Sequence, residues 1–453
     1  MLLKIFSSSF WIHSLFYTFL QRFSLFFFGA ISYIVMAHSF DPKTFAHWAL
    51  FIVVLSLIDS AKNGLLRNPA IKFFSMPQYA ARKNEVESSS FILNLIFSVS
   101  VSILLFTLGK PLSRWLQSEP LNELIPGGII IILVNIFFSH FEMILQSKFK
   151  FAEIFKANFS RQFIFFLGVV VLSFFPNYFL LGNILLLQIL GTILGTLMIY
   201  AFARPHQQKH FRFSPKLFLH MAHYGKYTFG TNLFSQAGRS FDQTLSAMLL
   251  DPVTSKMYVA YYNVVGRINN MMDVPSLAAA DVSYPKNVEA VEDHGLEKVK
   301  YYFERMAGSI LAIMLPISLV ILLMPKLVLM IIGGKDYYPA APLLQLALVF
   351  GWVRPISYQF GSVMDAIGKP QLNFRVNLLF FIVSLVLHLV FITGFGGIGG
   401  AIALACVYML LLIVMMVLLK KHIGIEPRNI IKETKAFYKV PFRWLTGRKK
   451  AGD

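Results

Sequence analysis

The sequence predicts an all-α integral membrane protein with about twelve spans. Three observations predict it. The chain has 453 residues, 56% of them hydrophobic and only 14% charged, where soluble domains carry roughly 25% charge. Such a chain cannot cover a water-facing surface, so lipid must be part of its solvent. Apolar stretches long enough to cross a hydrocarbon core of about 30 Å recur from one end to the other. The Lys and Arg that give a net charge of +19 fall mostly between those stretches and in the tail, as topology signals do. No basic soluble face is left over, which argues against a nucleic-acid partner.

The spans are read at 14–37, 44–66, 88–109, 123–147, 152–175, 178–203, 219–248, 256–284, 303–332, 340–365, 371–394 and 397–420. Each must be a helix, because the bilayer core holds no water to satisfy an open backbone. The first stretch carries Arg22 and lacks a clear small-residue cleavage site, so it is read as a retained span. Loop charge sets the orientation. Lys72, Arg82 and Lys83 follow span two, Lys148 and Lys150 span four, and Arg204, Lys209, Arg212 and Lys216 span six. Lys286, Lys298 and Lys300 follow span eight, and the tail begins Lys420-Lys421. The alternate loops are poorer in cations, so the even loops and both termini are expected in the cytoplasm. The longest loop on the other side is expected at 110–122.

The central loop divides the chain into an N-terminal six-helix lobe, 1–205, and a C-terminal six-helix lobe, 206–420, followed by a basic tail, 421–453. Both lobes enter from the same side, as parallel repeats do. Asp41-Pro42 before span two and Asp251-Pro252 before span eight form a faint internal echo. The tail mixes Lys and Arg with Ile430, Ile431, Phe437, Phe442 and Trp444. That composition suits a membrane-surface segment or a disordered basic tail. A lone cysteine, Cys406, supports neither a disulfide nor a multi-cysteine metal site.

Polar residues stripe several spans at helical spacing. Thr228, Asn232, Gln236, Arg239 and Gln243 do so in span seven, with Asp242 beside them. Asn263, Arg267 and Asn270 do so in span eight, ahead of Pro275, where a bend is expected. Span two gives Asp59, Asn63 and Arg67 with Lys62 close by, span four Asn135 and Glu142, and span ten Arg354 and Asp365, with a kink expected at Pro355. Span one adds Arg22. Such residues are costly at bilayer depth and face a bundle interior or a wet cavity. They are either interhelical glue or the lining of one hydrated cavity, and stripes on many helices favour the cavity. The cations Arg22, Lys62, Arg67, Arg239, Arg267 and Arg354 outnumber the acids Asp59, Glu142, Asp242 and Asp365. That balance suits an anion, since guanidinium grips phosphate oxygens in a fork. Asn232, Asn263 and the four acids are the candidate polar or ion-coupling groups. No Gly-rich phosphate loop, paired-His metal spacing or nucleophile elbow is present, so neither an enzyme nor a cofactor is expected.

The stretch 224–286 resembles the polysaccharide flippases of the multidrug/oligosaccharidyl-lipid/polysaccharide exporter superfamily. Gly225 leads span seven and Asp242 lies near its end; Tyr258 or Tyr261 and Arg267 precede Pro275, and Tyr284-Pro285 closes the segment. The Gly368-Lys369-Pro370 turn and the early stretch FAHWALFIVVLSLIDSAKNGLLRNPAIKFF are similar as well. The resemblance implies two six-helix lobes in a V around a central cavity. It implies a multi-pass flippase of the bacterial inner membrane that moves undecaprenyl-diphosphate-linked oligosaccharide from the inner to the outer leaflet, serving O-antigen or lipopolysaccharide assembly. Its expected partners are the lipid-linked glycan, membrane lipids and other polysaccharide-assembly proteins. Arg22, Arg239 and Arg267 are then the expected diphosphate contacts. The alternatives are an ion-coupled multidrug exporter of the same fold, a membrane enzyme of polysaccharide assembly, and a scaffold acting through its tail.

Overall fold

The computed structural model describes residues 9–40, 42–115, 118–208, 210–238, 241–349 and 351–445. Among these residues every regular element is helical. In the first half of the chain the helices are α1 (Ser9–Ser39), α2 (Pro42–Lys62), α3 (Asn68–Ser75), α4 (Lys83–Trp115), α5 (Glu119–Ser147), α6 (Phe151–Ser173) and α7 (Leu181–Ala203). Next come α8 (Pro215–Gly238), α9 (Phe241–Leu249), α10 (Pro252–Leu323), α11 (Pro325–Gly333), α12 (Ala341–Val349) and α13 (Arg354–Ala366). The last are α14 (Pro370–Phe395), α15 (Gly399–Ile423) and α16 (Pro427–Leu445).

Among the described residues, nine segments are long and apolar enough to cross a membrane, and one of them, Pro370–Ile423, holds both α14 and α15. The pair α8–α9 and the part of α10 before Gly295 fall short of that measure, because these are the most heavily striped spans. With them the count reaches the twelve that the sequence predicts. Regions 110–115 and 119–122, expected in a loop, are the ends of α4 and α5.

The helix breaks follow local chemistry. Span two passes through a π-helical turn, Asn63–Arg67, before Pro69 opens α3. Span ten is cut by a 3-10 turn, Gly351–Val353, and Pro355 starts α13. Pro275, where a bend is expected, lies inside α10, whose one departure from helical dihedrals is at Gly295, with φ 71° and ψ −170°. That conformation is costly for any residue with a Cβ. Spans eight and nine are thus two helical stretches within α10, 252–294 and 296–323, separated by a sharp break at Gly295. Span nine stops at Leu323, short of the expected 332, because Met324 leaves helical space and Pro325 begins α11. The start of α10 explains the Asp-Pro echo. The Asp251 carboxylate accepts the Thr254 N–H at 3.1 Å, a helix N-cap followed by proline. Its counterpart Asp41 lies outside the described residues.

The chain divides into two compact units, Met1–Phe229 and Gly230–Asp453. The division falls inside α8, downstream of the central loop. The Gln208 N–H donates to Glu87 and the Arg212 N–H to Ser88, which ties that loop to α4. Leu217, Met221 and Tyr224 of α8 then pack on Leu66, Ala70 and Phe73. The π turn interrupts the ordinary helical ladder, and Thr228 Oγ1 donates to the Gly64 carbonyl there. Elsewhere in this unit α5 and α7 build a core around Trp48, Phe51, Leu121 and Ile184.

In the C-terminal unit, Phe303, Phe360, Met364, Leu411 and Met415 form the main core. Tyr262 closes the α14–α15 turn by donating to the Gly397 carbonyl at 2.7 Å and accepting the Ala401 N–H at 2.8 Å. The tail is a helix. Glu304 accepts the Glu426 N–H at 2.8 Å and Asn429 Nδ2 at 3.1 Å, and Thr434 donates to the Gly308 carbonyl at 3.1 Å. α16 therefore packs along α10, which replaces the disordered-tail expectation for residues 427–445.

A Cβ at Gly225 would stand 2.3 Å from the Leu65 carbonyl oxygen, a backbone atom that cannot swing away. Overpacking of this kind costs about 1–3 kcal/mol. Gly225→Ala is expected to lower the thermal midpoint of the purified protein by at least about 2 °C. Gly182→Ala, with nothing within 4 Å of its added Cβ, is expected to leave the midpoint unchanged. Equal midpoints for both variants would contradict the close α8–α2 approach.

Candidate functional site

Two polar constellations stand at span depth, one in each unit. In the N-terminal unit, buried Lys62 points Nζ at the Asn135 carbonyl, 2.8 Å away. Asp59 lies one turn earlier on α2 and interacts electrostatically with Lys62 and with Arg161. Arg161 donates through Nη1 to Asn135 Oδ1 at 3.2 Å and lies over the Phe138 ring at 5.2 Å. Glu142, on the same stripe of α5, accepts Asn158 Nδ2 at 3.3 Å and also feels Arg161. The result is a charge-balanced quartet, Lys62 and Arg161 against Asp59 and Glu142. Such balance is what a low-dielectric setting demands, since an unanswered charge there is penalised heavily. Asp59 is the exposed member of the quartet. Next to it, Arg67 leaves the π turn and donates twice to Gln146 Oε1, at 2.9 and 3.2 Å.

The position of Arg161 is set by glycines on α7. A Cβ at Gly191 would meet the Arg161 carbonyl at 2.9 Å, and one at Gly195 would meet Arg161 Cβ at 2.9 Å. These two small residues, one turn apart, let α6 and α7 approach closely, as small residues do between membrane helices.

In the C-terminal unit the centre is a buried ion pair. Arg354 Nη1 donates to Asp273 Oδ1 at 3.1 Å and to the Asn269 carbonyl at 3.2 Å. Tyr358 donates to the other Asp273 oxygen at 3.0 Å, and the Tyr408 ring lies 5.4 Å from the Arg354 guanidinium. The pair borders a partly open cleft. Phe234, Phe380, Phe381 and Leu411 supply apolar walls, and Ser235, Ser357, Asn377 and Ser384 supply polar ones. Asp273 and Arg354 are the charged residues lining this cleft.

The structure sorts the sequence-predicted residues between these constellations. Lys62, Asp59 and Glu142 meet in the first, and Arg354 joins the second. Arg22 is half-buried on α1. Arg267 is exposed on α10, and its Nε donates to Asn263 Oδ1 at 3.2 Å. Asn232 is half-buried. Asp242 opens α9 and accepts the Gln243 N–H at 2.8 Å. Asp365 is buried and accepts Asn373 Nδ2 at 3.0 Å, a bond between α13 and α14. Arg239 lies outside the described residues. The stripe reading missed Arg161, Asp273, Tyr358 and Tyr408. Arg161 and Asp273 carried a usable signal, each being a charge inside an apolar or striped span; the two tyrosines carried none.

Three comparisons bear on this arrangement. The family described as "Polysaccharide biosynthesis protein" matches residues 20–342. An uncharacterised membrane protein of Methanocaldococcus jannaschii is 25% identical over 211 residues, 46% of this chain and 41% of that relative. The matched region is thus less than half of that relative's length. Among solved structures, an outward-facing multidrug resistance MATE family transporter of the MOP superfamily matches with a TM-score of 0.78 at 16% identity, covering 91% of this chain and 95% of that one. A MOP superfamily transporter from Pyrococcus furiosus, described as having a binding pocket of reverse polarity, matches with a TM-score of 0.77 at 16% identity, covering 91% and 95%. At that identity the likeness establishes the fold alone.

Removing one partner of a buried ion pair strands the other, which costs about 3–5 kcal/mol. Asp273→Ala is therefore expected to destabilise the protein strongly in denaturation assays. Asp273→Ala combined with Arg354→Met is expected to recover at least half of that loss. Additive losses would show that the two residues do not act as a pair.

Proposed function

We propose that this chain, which belongs to the polysaccharide biosynthesis protein family, flips a lipid-linked oligosaccharide. The cargo is carried on a polyprenyl diphosphate such as undecaprenyl diphosphate. It passes from the inner to the outer leaflet of a bacterial inner membrane by alternating access, for assembly of cell-surface polysaccharide such as O-antigen. The observation that carries this reading is the family match over residues 20–342 on a chain with the fold of the MOP superfamily transporters.

Burial decides which cations we assign to the diphosphate. Lys62 and Arg354 are buried against Asn135 and Asp273, whereas Arg67, bonded to Gln146, is half-buried and Arg267, bonded to Asn263, is exposed. Accessible guanidinium groups suit phosphate oxygens. In the N-terminal unit we therefore assign phosphate contact to Arg22 and Arg67, and in the C-terminal unit to Arg267, with Arg239 kept from the sequence reading. Asp59, exposed beside two cations, is the acid we assign to ion coupling.

A second reading, export of cationic drugs, draws on the similarity to a multidrug resistance transporter. The charges favour the glycan. Asp59 and Glu142 share Lys62 and Arg161, and Asp273 holds Arg354, so these acids are already answered by cations of the protein. A cationic drug would have to displace them.

The test uses purified protein in liposomes containing a fluorescent polyprenyl-diphosphate oligosaccharide, with leaflet exchange read by an impermeant quencher. Protein-dependent exchange is expected, falling at least ten-fold in Arg267→Ala, a loss of about 1.4 kcal/mol or more in transition-state stabilisation. Absence of exchange together with ion-dependent efflux of a cationic dye would replace this reading with drug export.

A further inference from the structure

The cleft of the C-terminal unit has a chemistry that phosphate recognition leaves unused. Its charged lining residues, Asp273 and Arg354, are locked together at 3.1 Å, so the cleft is electrically balanced. A bound phosphate would compete with Asp273 for Arg354, and a bound ammonium would compete with Arg354 for Asp273. Both exchanges strand a buried charge. A neutral ligand meets neither penalty.

The walls say what kind of neutral ligand fits. Tyr358, Tyr408 and Phe381 bring aromatic rings to the same space as the Ser235 and Ser357 hydroxyls and the Asn377 amide. All six of these side chains are half-buried. The Asn377 Nδ2 already donates to Asn373, at 2.9 and 3.0 Å, but a purely apolar guest would still cover the two serine hydroxyls and the Asn377 carbonyl oxygen, which is unfavourable. A polyhydroxylated ring satisfies both sets of walls. Its C–H faces lie against aromatic faces, whose quadrupole is negative, while its hydroxyls both donate and accept at serine and asparagine.

We propose that this cleft is a saccharide subsite that holds a sugar ring of the transported glycan. The proposal rests on the flippase reading for the identity of its ligand, but it assigns a separate location and separate residues. Sugar is recognised by half-buried aromatic and amide groups around a fixed ion pair, and phosphate by the accessible arginines.

The test uses full-length protein and three probes. Two are fluorescent polyprenyl diphosphates, one bearing the host's lipid-linked oligosaccharide and one bearing no sugar. The third is the soluble, phosphate-free oligosaccharide cut from the first. The variants are Asn377→Ala and Ser357→Val, which leave the ion pair in place. The soluble oligosaccharide is expected to raise the thermal midpoint of the parent and to lose that effect in both variants. Exchange of the glycosylated lipid is expected to fall at least ten-fold in both, with exchange of the sugarless lipid within two-fold of the parent. No rise in the parent midpoint, or equal loss for both lipids, overturns the subsite. A rise in midpoint with no exchange of either lipid keeps the subsite and overturns the flippase reading.

Discussion

Hydrocarbon offers no hydrogen-bond partner, so every polar group that a span carries must be answered inside the protein. Many of the described polar groups meet that constraint in one of three ways. Hydroxyls turn back on their own helices, as Thr18 does to the Ser14 carbonyl and Thr192 to that of Gln188. Backbone left open by an irregular turn is met by a neighbour, as Gly64 is by Thr228. Charges are balanced against one another, as in the quartet around Arg161 and in the pair of Arg354 with Asp273. The third solution is the demanding one. It needs two helices held in register, and the glycines of α7 and the core around Phe303 and Phe360 supply that register.

Apolar length made the spans legible in the sequence, including two whose polar residues dilute that signal. α8 and the first part of α10 carry more polar residues than the neighbouring spans. Their polar residues nevertheless recur on one face, which is what a helix with one wet or packed side produces. Helix breaks were legible where proline or glycine chemistry is strict and less so where packing decides. Pro355 marks a real break, but Pro275 and Pro285 sit inside a continuing helix. A proline removes one hydrogen bond, and neighbouring side chains in a membrane bundle can compensate.

The site was legible in its residue types and not in its pairings. Counting cations against acids suggested one basic cavity. Coordinates change the weight of each charge, because Asp273 neutralises Arg354 across 81 residues of sequence and Arg161 enters a cluster built from α2 and α5. Long-range partners of this kind leave no periodic trace. Burial was equally invisible, and it separates Arg267, which is exposed, from Lys62, which is not. Burial and pairing therefore set Lys62 and Arg354 apart from the other cations of the raw count.

The α16 helix has a consequence for genetics. Thr434 and Ile430 lie against Gly308, and Tyr438 donates to the Ala312 carbonyl, so the last described helix is built into the packing of α10. A premature stop codon or frameshift after residue 424 would leave every bilayer-crossing segment encoded, yet it would strip one flank of the ninth. Alleles of that kind would lower the abundance of the protein. An open reading frame cut just past its final apolar stretch is therefore not a neutral truncation.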